Sequence, residues 1–398
     1  MDEDTPVGRR IAYYRNQRGI TQEVLAGLVD RSASWLQKIE SGERVMDSVS
    51  MLEQLADVLE VAIWDLRPKF GLPRKRNGGA PNDSARMVDE IRHALFRPLP
   101  DREVPDIAAL SATAAEASRL RSIGHYKPVA ILLPDVLTGA RASATQETAG
   151  AWECLASACK TAMALVREIG EWEFALLLAD RFATAARSSG DPLLMAASAR
   201  HLGFALLDIK RADTAAAVCS DAADAIAPTK GTSVEGWSMW GSLQLTGAVA
   251  ATRLKDPTSA RRLLADAWSA AERVGPDHRD YVEAFGPANV GLHEISIALD
   301  SHNPTEALRI ADRVDVDALP LNSRRAAYCI DVARAHALRG FDTDAAVVGW
   351  LLEAYDYAPD RARTQVLPRA LVEACLRREK KSRTPKLREL AAKIGITA

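Results

Sequence analysis

The sequence predicts an all-α protein: a small five-helix head, a short linker, and a long α-solenoid of paired helices. Three observations carry this. From residue 84 onward, Ala and Leu recur at helical spacing. No alternating run of β-branched residues is long enough for a sheet strand. One turn pattern also repeats, in GEWEFA, KRADTA, KDPTSA, HNPTEA and GFDTDA, which end at Ala175, Ala215, Ala260, Ala307 and Ala345. A period near forty residues, with an apolar helix on each side of the turn, is the signature of stacked helix pairs. The recurring Ala has a steric reason, because two helices cross closely only where a side chain is small.

The head comes first, over residues 1–67. Its first helix is GRRIAYYRNQRG, closed by Gly19. The second is TQEVLAGL with Thr21 as N-cap, and the third is SASWLQKIESG between an N-cap at Ser32 and a stop at Gly42. VSMLEQLADVL and IWDL supply the fourth and fifth. Ile11, Leu25, Leu28, Leu36, Ile39, Leu52, Leu55 and Leu59 are the expected core, with Ala26 small where helices two and three meet. Residues 68–83, PKFGLPRKRNGGAPND, are rich in Pro, Gly and basic residues and read as a linker. Residues 84–150 are expected to form a helical adaptor, and 151–398 the solenoid. The tail, RREKKSRTPKLRELAAKIG, is basic. It reads either as a nucleic-acid contact or, more often for such a segment, as the polar cap of the array.

Composition narrows the function. The net charge of −2 excludes a globally basic nucleic-acid binder, so any DNA-binding surface must be local. The head supplies a modest one, since residues 5–44 hold seven basic side chains against four acidic ones. The five cysteines are scattered without a CxxC pair and read as reduced core residues of a cytoplasmic protein. The start, MDEDTP, has no signal-peptide core, and the apolar run VAILLPDVL is too short to cross a bilayer. GxGxxG, GxxxxGK[ST], HExxH and GxSxG are all absent. The expectation is a protein that is not an enzyme, without cofactor or metal site.

The ordered match from Arg9 to Leu66, including the complete TQxxLA signature at Thr21–Ala26, resembles the Cro/repressor-type helix-turn-helix, or XRE, family. That resemblance implies that helix three enters a major groove of double-stranded DNA. It also implies that Gln22 bonds a phosphate at the start of helix two, and that Arg15 and Glu40 form a structural ion pair. On the free face of helix three lie Ala33, Ser34, Gln37 and Lys38. Gln suits adenine or a phosphate and Lys suits guanine. Arg9, Arg18, Arg31 and Arg44 are candidates for phosphate contact. Trp35 is expected at the rim, where its ring either covers the gap toward Val45 and Met46 or presents its edge to DNA.

The repeat resembles degenerate tetratricopeptide repeats. Gly170 and Gly340 match the turn glycine, Gly203 the small residue of the first helix, and Ala215 with Ala222 and Ala260 with Ala267 the small pair of the second. Within the array, Gly286-Pro287 breaks the chain before a helix on which Asn289, His293, Ser296 and Asp300 form one polar stripe. The preceding first helix carries Trp237, Trp240 and Gln244. Together with Tyr281, these residues are the candidate ligand site on the concave face. For any single residue, a polar surface stripe and core tryptophans remain the commoner reading. A DNA-binding head joined to such an array resembles one-component transcription regulators, including the peptide-pheromone-responsive ones and many from actinobacteria. The resemblance implies a homodimer on an inverted-repeat operator, located with the nucleoid and responding to a peptide or small molecule. The alternative is a scaffold that tethers a partner protein to DNA.

Overall fold

A computed structural model describes residues 6–44, 46, 49–59, 61, 66, 83–99, 106–276, 284–340, 343–379 and 385–396. Among them are twenty helices and no strand. The chain divides into two compact units: residues 1–79 with 366–398, and residues 80–365. The expected linker at 68–83 lies outside the described residues, except Asp83, where a helix begins. So does the expected fifth helix of the head, apart from the buried Leu66.

The head opens with α1 (Val7–Gln17), α2 (Gln22–Leu28), α3 (Ala33–Ser41) and α4 (Val49–Val58). The Thr21 hydroxyl accepts the Val24 N–H at 3.2 Å and starts α2. Ser32 does the same for Trp35 at 3.2 Å and starts α3. Gly42 sits in the left-handed region at φ 82°, and the Arg44 N–H returns to the Lys38 carbonyl at 2.9 Å to close α3. Ile11, Leu25, Leu36, Ile39, Leu52, Leu55 and Leu59 are buried as expected. Leu28 is not; it is 61% exposed and Val29 is buried in its place. The inward arc of α2 centres on Leu25, Ala26 and Val29, and at roughly 100° per residue Leu28 falls outside it.

The second unit begins with α5 (Asp83–Phe96), and then helices pair: α6 (Ile107–Ser122) with α7 (Tyr126–Thr145), and α8 (Ala151–Ile169) with α9 (Trp172–Ser189). Next come α10 (Pro192–Asp208) with α11 (Ala212–Ala225), α12 (Val234–Arg253) with α13 (Pro257–Val274), and α14 (Pro287–Asp300) with α15 (Pro304–Ala311). The series ends with α16 (Asn322–Arg339), α17 (Asp344–Tyr357) and the short α18 (Pro359–Thr364). One hydrophobic core runs unbroken from Met87 to Leu243, so residues 84–150 are continuous with the repeats. Ala175, Ala215, Ala260 and Ala307 are buried at the crossings. Ala345 is exposed, because α17 starts one residue before it and turns Val347 and Val348 inward instead. A Cβ on Gly203 would stand 2.6 Å from the Cys219 sulfur, which explains the small residue there.

The array also meets itself. Helix α18 packs against α8, and α16 packs against α6. The C-terminal α19 (Val366–Arg378) and α20 (Pro385–Lys393) belong to the unit that contains the head, where α19 packs on α4 and on α20. Leu371, Val372, Cys375, Leu387 and Leu390 of these two helices are buried. All five cysteines are buried, and none forms a disulfide. Among the described residues, no helix is long and apolar enough to cross a membrane.

The tightest helix contact in the head is at Gly8. A Cβ there would overlap the Ile39 carbonyl oxygen and lie 2.8 Å from its carbon. Gly8→Ala is expected to destabilise the head by about 2 kcal/mol, overpacking against backbone outweighing the better helix propensity of Ala. An unchanged thermal midpoint would show that α1 can slide off α3.

Candidate functional site

The helix-turn-helix is held by one carboxylate. Arg15 donates from Nε to Glu40 Oε1 at 2.7 Å and from a terminal nitrogen to Oε2 at 2.9 Å, a two-pronged pair in which both side chains are largely buried. Arg15 also donates to the Ile20 carbonyl at 2.9 Å, and this bond ties the loop before α2. The Gln22 amide donates to Glu40 Oε2 at 2.7 Å. Hydrogen bonding to Glu40 raises the Arg15 pKa above its ordinary value. Glu40 thus links α1, α2 and α3 at one point.

This fixes which face of α3 is free. Leu36 and Ile39 point into the core, whereas Ser34, Gln37 and Lys38 are exposed. Ala33 is half-buried at the helix start. Trp35 is half-buried and packs on the head's core. Met46 belongs to the same core, and Val45 lies outside the described residues. Arg31 and Arg44 are exposed beyond the two ends of α3, and Arg9 and Arg18 are exposed on and just after α1. Gln22 is half-buried with its amide turned to Glu40, which leaves one amide hydrogen and the α2 N-terminus for an external anion.

A family model described as a helix-turn-helix domain matches residues 6–67. Over 61 residues the chain is 39% identical to an uncharacterised HTH-type transcriptional regulator, YazB, of Bacillus subtilis (strain 168); the match covers 15% of this chain and 87% of that protein. The chain belongs to the helix-turn-helix transcriptional regulators. Among solved structures, the Bacillus thuringiensis PlcR complex with the peptide PapR7 and DNA aligns over 84% of this chain and 97% of that one. The identity is 10% and the TM-score 0.34.

In the array of this helix-turn-helix regulator, the expected ligand residues go to different places. Trp237 and Trp240 stack edge to face at 5.9 Å and pack into the core with Ala270, Phe285 and Val290. The Arg273 guanidinium lies 5.2 Å over the Trp237 ring. Gln244 and Asn289 are buried, and Tyr281 lies outside the described residues. His293 is buried beside Phe204, at 6.4 Å between ring centroids. The guanidinium groups of Arg167 and Arg200 lie 5.0 and 4.9 Å from that same Phe204 ring. His293 Nδ1 is 2.9 Å from the Asn289 carbonyl, which can only accept, so Nδ1 carries the hydrogen and Nε2 is left as an acceptor.

A set of charges near the ends of the first helices was not singled out in the sequence. Arg167 pairs with Asp208, and Arg253 pairs with Asp300 at 3.1 Å. Arg334 reaches the other oxygen of Asp300 at 3.2 Å, while Arg253 also donates to the Leu207 carbonyl at 2.9 Å. These bonds join α8, α10, α12, α14 and α16 in turn. The signal was present: Arg167, Asp208, Arg253, Asp300 and Arg334 alternate in sign at the repeat spacing.

Glu40→Ala is expected to cost the head about 3 kcal/mol, because it strands a buried Arg15; chemical denaturation followed by the head's own signal checks this. Burial, reinforced by Arg324, pushes the His293 pKa down to about 3. The unfolded chain then binds more protons than the folded one below pH ~6.5, so this group's contribution is full above that pH and shrinks as pH falls toward 3. Asp331, pushed up to about 6 by burial, acts in the opposite direction, so the useful measurement is a difference. The wild type should lose stability relative to His293→Leu by up to ~1.4 kcal/mol per pH unit between pH 6 and 4, and parallel curves would refute the depressed pKa.

Proposed function

We propose that this DNA-binding transcriptional regulator reads its operator with Ser34, Gln37 and Lys38 of α3. Gln22, Arg31, Arg44 and the rim of Trp35 anchor the phosphates, with Ala33 close to the groove floor. The observation that carries this is the outward face of α3, polar and exposed while the Arg15–Glu40–Gln22 clamp holds its other face. Direct readout needs such a rigidly presented row of donors and acceptors. The protein acts as a homodimer on an inverted repeat, because one small head makes few phosphate contacts.

The array is the sensing part in this reading, and its effector is a peptide or a small molecule. Support comes from the inner cluster of Arg200, Phe204 and His293, where a buried cation, an aromatic face and a neutral imidazole acceptor stand together. Buried charge adds little net stability, so its presence here fits a recognition role. A DNA-tethered scaffold would instead use the array to hold a protein partner. Stabilisation of the purified protein by small solutes or short peptides separates the two, since a scaffold would gain nothing from them.

Selection of bound duplexes from a random pool tests the head. Lys38→Ala and Gln37→Ala should each relax preference at one base pair by about 1–3 kcal/mol, whereas Gln22→Ala should weaken all sequences alike. Equal losses on specific and random DNA for every variant would remove α3 as the reader. The selected site should contain two half-sites about 10 bp apart or a further helical turn away. A single half-site bound by a monomer would rule out the dimer.

A further inference from the structure

We propose that α18 is a clasp that closes the array into a ring and passes the ring's opening or closure to the DNA-binding head. The proposal stands apart from whatever the array binds. The contacts lie at a single place. The Tyr126 N–H donates to Asp360 Oδ2 at 2.8 Å, and the Asp360 N–H donates to the Gly124 carbonyl at 3.3 Å. Gly124, at φ 76°, lies so close to Ala358 that a Cβ on it would stand 2.7 Å from the Ala358 Cα and Cβ. Beneath this seam, Glu168 accepts from Arg121 at 3.3 Å, from Arg361 at 3.5 Å and from the buried Tyr126 hydroxyl. Arg361 also donates to the Ser323 carbonyl at 3.0 Å. The beginning of the array, α6 to α8, is thereby fastened to its end, α16 and α18.

Two features make this seam a switch rather than a fixed weld. Helix α18 has only six residues, so it holds little cohesion of its own once its partners leave. Its anchor is a shared buried carboxylate, and losing one partner strands the others, which favours fully closed or fully open over intermediate states. The path onward is covalent and short. Gln365 alone separates α18 from α19, and α19 packs on α4 inside the head unit. In this proposal, displacement of α18 reaches α19 through that one-residue link.

The test uses the full chain and amide hydrogen exchange. Gly124→Ala wedges the seam sterically, and Arg361→Gln removes a cation from Glu168. In both, exchange should rise roughly fivefold or more at Tyr126 and α18, and also at α19 and at α4, some 300 residues away in sequence. A rise confined to the seam and α18, or no rise, overturns the proposal. If a variant fails to fold, the wild type decides: in low denaturant, the amides of α18, α19 and α4 should share one sub-global opening while α10–α13 stay protected. Separate openings for α18 and α4 overturn it equally.

Discussion

Among the described residues, both units depend on helices approaching each other more closely than ordinary side chains allow. In the head, Gly8 lets the backbone of α1 rest on the backbone of α3 at Ile39 and Glu40. In the array, buried alanines at the crossings and glycines at Gly203 and Gly241 do the same; a Cβ on Gly241 would lie 2.8 Å from Ala270 and overlap the Phe285 ring. Close approach has two consequences. It buries the apolar stripes of short helices that would not persist alone, and it fixes their rotation so that the remaining faces point in defined directions. The exposed polar face of α3 is what that packing leaves outside.

Charge is then placed where packing leaves room. In the head, Glu40 serves Arg15 and Gln22 at once, so its cost of burial is offset by several hydrogen bonds. In the array, alternating Arg and Asp at the ends of successive first helices tie each repeat to the next. Such ties add modest stability compared with hydrophobic burial, but they define register, because a one-turn slip would separate each Arg from its Asp. His293 follows the opposite course. Burial beside Phe204 and near Arg324 keeps it neutral, a hydrogen-bond acceptor rather than a cation.

The two kinds of interaction meet at the seam between α7 and α18. There a glycine–alanine approach and a shared carboxylate bring together residues up to 234 positions apart. A chain of helix pairs held only by neighbours would be an open spring, free to change its curvature gradually. Fastening its ends at the seam restricts that gradual freedom.

The sequence by itself determined the helical class, the head's caps at Thr21, Ser32 and Gly42, the Arg15–Glu40 pair and the free polar face of α3. These depend on spacings of a few residues or on a family pattern contained in one short segment. It also revealed the paired-helix period, because each crossing repeats the same demand for a small side chain. The tertiary structure alone decided that Leu28 faces outward, that Ala345 is not a crossing residue, that Trp237 and Trp240 lean half-buried against the core, and that the tail joins the head unit. It alone decided that the array closes on itself. Each of these outcomes depends on helix rotation and accumulated superhelical curvature. Curvature is a sum of small angles over many repeats, and no local pattern encodes such a sum.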